Sequence, residues 1–190
     1  MLSWLGNPHI LLGFGVQPDS LARLDQWYRL ISYQFVHANF FHLVSNMVAL
    51  WLFSNPELNL TWSRYLMVFV CAGLVGALCF ALLPLGGVLL VGASASVAGL
   101  MGASLVLNPG TSVSFIIIRL PIWVIILVWA ATQVVALEDL LESGASNSVA
   151  YQAHLGGLVT GIVFALWFKY QQRRADADKP AGFSPENWNQ

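Results

Sequence analysis

Residues 91–104 read VGASASVAGLMGAS, three serines and three glycines set between strongly hydrophobic runs. No residue able to activate a nucleophile lies within that stretch. Small residues in an apolar helix let a second helix come close, which in a membrane is a principal source of packing energy. The apolar run from Ser94 to Leu107 ends at Asn108, Pro109 and Gly110, strong breakers. It is too short to cross a bilayer, which needs about 20 residues of helix. Its lead, PLGGVLLVGAS over 84–94, is rich in glycine and predicts irregular backbone. Such backbone is tolerated at membrane depth only where it is buried in protein or lines a water-filled cavity. A short, broken element of this kind marks a site.

The rest of the chain makes the membrane setting firm. Of 190 residues, 57% are hydrophobic and 9% are charged, against roughly 25% charged in soluble domains. The mean hydropathy is +0.69. A net charge of −1 offers nothing to nucleic acid. Cys71 and Cys79 both fall in one apolar run and read as small membrane-core residues rather than a disulfide or a metal pair. No cleavable signal peptide is evident in MLSWLGNPHILLGFGVQPDS, which lacks a basic start and is interrupted by Asn7 and Pro8.

Five membrane segments are expected, at about 38–53, 65–85, 94–107, 121–137 and 149–168, in one all-α transmembrane domain over 1–170. Residues 19–41, partly amphipathic and rich in aromatics, are expected to form an outer interfacial region. Residues 171–190 are expected to form a polar tail, disordered from about Ala175. Lys169, Arg173, Arg174 and Lys179 follow the last span and place the C-terminus in the cytoplasm. Counting back puts Arg119 and Arg64 on that side as well. The segment with Glu138, Asp139 and Glu142, which has no Lys or Arg, becomes an outer loop.

Polar residues at membrane depth are functional candidates, and three groups stand out. HANFFHLVSN contains His37, His42 and Asn46. His42 and Asn46 are four apart and share a helix face. Two donors there suit either an oxyanion-stabilising pair or interhelical hydrogen bonding. In the serine stretch, Ser94, Ala98 and Gly102 form a small-residue stripe, which alone reads as packing. In YQAHLGGLVTG, His154 shares a face with Gly157 and Gly161. His154 alone reads equally as a packed core histidine. If the two small-residue faces meet, however, His154 is drawn against Ser94 and can serve as its general base. No Asp or Glu at membrane depth can orient His154, so the expected mechanism is a dyad. No metal site is expected, since neither carboxylate nor thiolate lies near the histidines at membrane depth.

Taken together, WYRL, HANFFHLVSN, GAS and AHLGGLVTG resemble, in order and spacing, the rhomboid family of intramembrane serine proteases over roughly Trp27 to Phe168. The resemblance implies Ser94 as nucleophile and His154 as base. It implies an oxyanion hole from His42, Asn46 and the Ser94 N–H, a structural His37, and Arg29 bracing the outer loop. Gly92 belongs to the loop before the nucleophile, and Gly157 and Gly161 to the packing face of the last helix. It further implies transmembrane protein substrates cut near the outer membrane boundary, no metal or cofactor, and a multi-pass protein of a bacterial inner membrane.

Three features depart from the family pattern. Gly-x-Ser-Gly becomes Gly92-Ala93-Ser94-Ala95, and Ala95 is strained if that position needs positive φ but benign if it is already helical. The position four after the serine, often aromatic and stacked on the histidine, is Ala98, so another ring must hold His154 or it is held less firmly. The usual first transmembrane helix is expected to be largely missing, since the chain starts about where that helix would end, which a misassigned start, a trimmed sequence or a five-span protein would each explain. These features favour the rival reading, a pseudoprotease that binds transmembrane clients without cutting them. Retention of Ser94, His154, His42 and Asn46 together favours a protease. A channel or transporter would need an inverted repeat or charged pathway that the sequence lacks.

Overall fold

A computed structural model describes residues 5–54, 60–83, 85, 87–115, 118–143 and 149–178. Among the described residues, seven α-helices and one small antiparallel strand pair follow in order. They are α1 (Pro8–Phe14), α2 (Arg29–Ser32), α3 (Phe40–Phe53), α4 (Trp62–Leu82), α5 (Ser94–Leu107), β1 (Ser112–Phe115), β2 (Ile118–Pro121), α6 (Ile122–Ser143) and α7 (Tyr151–Ala177). Short 3-10 turns link α1 to α2 and α2 to α3. Among the described residues, α4, α6 and α7 are long and apolar enough to cross a membrane. A fourth span arises if residues 24–35 and α3, bent by 77° at their junction, count as one.

Local chemistry sets several of these boundaries. Asn7 caps α1 by accepting the His9 N–H, with Pro8 at the first helical position. Asn39 caps α3 by accepting the His42 N–H at 2.9 Å. At the other end of α5, Lys169 donates to the Val106 carbonyl at 2.6 Å, supplying one of the orphan acceptors of a helix C-terminus.

α5 is the centre of the bundle. Ten consecutive residues of it, Ala95 to Ser104, are buried. It is wrapped by α4 and α7 and flanked by α3 and α6. Glycine makes this possible. A methyl at Gly161 would fall on the Gly99 carbonyl oxygen, and one at Gly157 on that of Ala95. A methyl at Gly102 would fall on the Leu158 carbonyl oxygen. The closest approach therefore runs along Ala95, Gly99 and Gly102, not along the expected stripe of Ser94, Ala98 and Gly102. The offset follows from geometry, because the α7 backbone packs directly on the backbone of α5. Outward faces are apolar and open, with Trp51 76% and Val135 64% exposed, as a lipid-facing surface requires.

The two ends of the bundle can be told apart by their contacts. Ser54 meets Tyr65 at 2.6 Å, the Arg64 guanidinium lies 4.8 Å from the Phe168 ring centre, and Lys169 reaches Val106. Those contacts gather Arg64 and Lys169 at one end. Ser94, His154, His42 and Gly92 lie at the other.

Each of the five expected segments holds a helix with shifted bounds, but three of them, or four with the bent pair, qualify as membrane spans among the described residues. α6 extends to Ser143, so Glu138, Asp139 and Glu142 form its last turns rather than an outer loop. α7 extends to Ala177, so the start of the expected polar tail is helical. A helix continues into water wherever its own propensity allows, and these stretches contain neither Gly nor Pro. Residues 179–190 of the expected tail, Lys179 among them, lie outside the described residues. A two-stranded antiparallel hairpin, Ser112 opposite Pro121 through Phe115 opposite Ile118, fills the connection where the sequence reading had only a loop.

Candidate active site

The loop over 87–93 is irregular, as its glycines predict, and it is tied to the rest of the protein at Leu90 and Gly92. Val16 and Leu90 exchange both backbone hydrogen bonds, at 3.0 and 2.8 Å, and the Gly92 N–H donates to the Tyr33 carbonyl at 2.9 Å. Gly92 has φ +96°, a conformation that side chains rarely adopt. A methyl there would also lie 2.6 Å from His42 Nε2 and 3.3 Å from Asn46 Nδ2. Both requirements select glycine. The turn ends at Ala93, and Ser94 opens α5. As the first helical residue, Ser94 has an N–H ahead of the intrahelical ladder.

Ser94 Oγ lies 2.8 Å from His154 Nε2, which projects from the first turn of α7. The close α5–α7 packing sets this distance. Where Ala95 rests on Gly157, the preceding residue of α5 reaches the histidine three residues earlier on α7. Ala95 is helical, so the benign alternative holds for its methyl. That methyl packs on α4 opposite Gly76, where an added methyl would approach it to 2.5 Å.

The second face of His154 is occupied too. Its Nδ1 lies 2.7 Å from Gln133 Oε1 on α6. The Trp129 ring, one turn earlier on α6, sits 5.7 Å away at 41°. Sequence reasoning found neither residue. Trp129 supplies the aromatic contact that Ala98, itself fully buried, does not. A lone glutamine within an apolar helix was the available signal for Gln133.

On the opposite wall, His42 Nδ1 accepts the Ala38 N–H at 3.4 Å. The ring proton then resides on Nε2, the atom beside Gly92. Asn46 donates one amide hydrogen to the His42 carbonyl at 2.9 Å and retains a second. His42, Asn46, Ser94, Trp129 and His154 all line one cavity of about 560 Å³. His37 stands behind, 3% exposed, with its ring edge-on to His42 at 5.1 Å between centres.

Arg29 is buried and donates from Nη1 to the carbonyls of Leu12 and, at 2.8 Å, Gly15. Tyr28 and Ser32 donate to Gly13 and Phe14. These bonds pin the end of α1 against α2 and hold Val16 in place beside Leu90. An Arg29→Met variant leaves two carbonyls without their charged donor, at a cost of about 1.5–3 kcal/mol. Thermal unfolding in detergent should show a fall in Tm of roughly 3–12 °C.

Ser96, to which the sequence assigned no chemistry, donates to Gln34 Oε1 at 2.6 Å, tying α5 to the segment before α3. Among the described residues, no group of three His, Cys, Asp or Glu side chains is placed to hold a metal ion.

A helical membrane bundle with a short buried central helix, begun by an irregular loop, is a rhomboid-like fold. The Rhomboid domain family model matches residues 24–171. Rhomboid protease GluP of Bacillus subtilis (strain 168) is 28% identical over 162 residues, 84% of this chain and 29% of that protein. Rhomboid-like protease 2 of Toxoplasma gondii is 25% identical over 171 residues, 85% of this chain and 54% of that protein. Rhomboid-like protein 11, chloroplastic, of Arabidopsis thaliana is 34% identical over 162 residues, 80% of this chain and 56% of that protein. The chain belongs to the rhomboid family, which includes serine proteases, and is an integral multi-pass membrane protein. It spans 29–56% of the length of these curated relatives.

Proposed function

We propose that the chain is an intramembrane serine protease that cleaves transmembrane protein substrates with Ser94 and His154. The observation that carries this reading is the 2.8 Å contact between Ser94 Oγ and His154 Nε2 at the wall of a cavity that also holds His42 and Asn46. A substrate strand, locally unwound, enters the cavity with its carbonyl carbon facing Ser94. Ser94 Oγ attacks as His154 Nε2 takes the hydroxyl proton. The carbonyl oxygen gains negative charge and is stabilised by His42 Nε2–H, the second Asn46 amide hydrogen and the Ser94 N–H. Such donors each contribute about 3–4 kcal/mol in comparable enzymes. His154 then passes its proton to the leaving amine, and water repeats the sequence on the acyl-enzyme. Gly92 lets the loop pass close to both oxyanion donors, and Arg29 and His37 support the loop and His42. Neither metal nor cofactor has a part in these steps.

The basic residues support an orientation. Arg64 and Lys169 share the end away from Ser94, and Arg173 and Arg174 continue beyond it on α7. The positive-inside rule puts that end in the cytoplasm, for instance of a bacterial inner membrane, and the cavity towards the outer boundary.

In liposomes, the wild-type protein is expected to cut a reporter whose transmembrane segment is weakened by glycine near its outer end. Ser94→Ala should give no product. Stable co-isolation of uncut reporter with both proteins would instead favour the client-binding pseudoprotease.

A further inference from the structure

We infer that Gln133 is a positioning residue that locks the tautomer of His154 and so orients the base of the Ser94–His154 dyad. The inference rests on the proposed role of His154 as the base for Ser94. A neutral imidazole can accept the Ser94 proton only if Nε2 is unprotonated, so its own proton must reside on Nδ1. In water neither placement is enforced. Here Nδ1 faces an amide, which presents either an oxygen that accepts or a nitrogen that donates.

The neighbours of that amide decide which end faces the histidine. Thr132 Oγ1 donates to the Trp129 carbonyl at 2.6 Å, which commits its only proton. Its oxygen is left as an acceptor, and Gln133 Nε2 donates to it at 3.2 Å. The Gln133 nitrogen is thereby held on Thr132, and Oε1 is turned to His154 Nδ1 at 2.7 Å. Reversing the amide would set an N–H donor against Nδ1, moving the ring proton to Nε2 opposite Ser94. It would also face the Gln133 oxygen with a hydroxyl whose proton is engaged elsewhere. The hydrogen bonds from Ser94 through His154, Gln133 and Thr132 to the Trp129 carbonyl thus run in one consistent direction.

Trp129, Thr132 and Gln133 occupy one turn of α6, and Gln133 is 8% exposed. The contact is therefore shielded from competing water, where a neutral acceptor retains its strength. The arrangement gives an amide the orienting role that a carboxylate fills in soluble triads, without placing a charge at membrane depth.

The test uses the full chain labelled with 15N-histidine in lipid nanodiscs, with the His154 signals assigned by their loss in His154→Asn. In the wild type, Nδ1 should carry the proton and Nε2 should show the shift of a hydrogen-bonded acceptor. Gln133→Met, which keeps the length and removes the acceptor, should give a mixture of tautomers. It should also lower kcat for reporter cleavage roughly 10- to 100-fold with KM little changed. Gln133→Glu, whose carboxylate accepts from Nδ1 once the Thr132 hydroxyl turns from Trp129 to donate to its second oxygen, should restore the single tautomer. A purely packing role would shift Tm in Gln133→Met and leave the tautomer alone. A proton on Nε2 in the wild type, or the same tautomer in wild type and Gln133→Met, overturns the inference. The tautomer is read without substrate, so a failure of the protease reading would show as absent cleavage with these shifts intact.

Discussion

His154→Ala is expected to lower reporter cleavage by a factor on the order of 10⁴ or more, with the protein still folded. Removing the base of a serine hydrolase leaves only binding and oxyanion stabilisation. Among the described residues that line the cavity, no second group is placed to take the proton from Ser94. Gln133 is a neutral amide, and His42 presents a protonated Nε2 from the opposite wall. Folding should survive because His154 borders the open cavity. Truncation enlarges a space that water can enter rather than creating a sealed void. The α5–α7 contact is made by Ala95, Gly99, Gly157 and Gly161 and does not depend on the imidazole. Cleavage rates, with Tm measured on the same samples, check both halves of this expectation.

The second large effect is on the bundle itself. Gly161→Ala should destabilise the protein by about 3 kcal/mol, at the upper end for overpacking. Its methyl would fall on the Gly99 carbonyl oxygen, and neither helix backbone can yield locally as a side chain would. α5 and α7 must move apart, which also draws His154 from Ser94. Cleavage should therefore fall along with Tm, the latter by roughly 6–12 °C. Gly13→Ala is the control. A methyl there meets nothing within 4 Å, and alanine suits the interior of α1. Its Tm should be unchanged or slightly raised.

The two substitutions separate what the sequence makes legible from what it hides. Ser94, His154, Gly157 and Gly161 could be paired in advance because small residues at helical spacing announce close packing. The break before Ser94 was legible because glycines in an apolar run are costly unless needed. The register of that packing was not, because backbone-to-backbone contact moved it onto Ala95 and Gly99. Gln133 and Trp129 were missed for a different reason. Each sits in an apolar helix with its partner on another helix, and no local pattern links position 133 to 154. The aromatic contact absent at Ala98 is made by Trp129, which reaches His154 from α6. The α6 extension through Glu138 and Glu142 was misread because carboxylates in a membrane protein signal the water boundary. They do not signal the end of a helix.

The proposed chemistry rests on Ser94 acting as a nucleophile activated by His154. The most direct measurement is reaction of the purified protein in nanodiscs with a fluorophosphonate, followed by peptide mass spectrometry. One adduct is expected, on the peptide carrying Ser94, with none in His154→Ala. A folded wild-type protein that stays unmodified, or one whose adduct is on another residue, would contradict it.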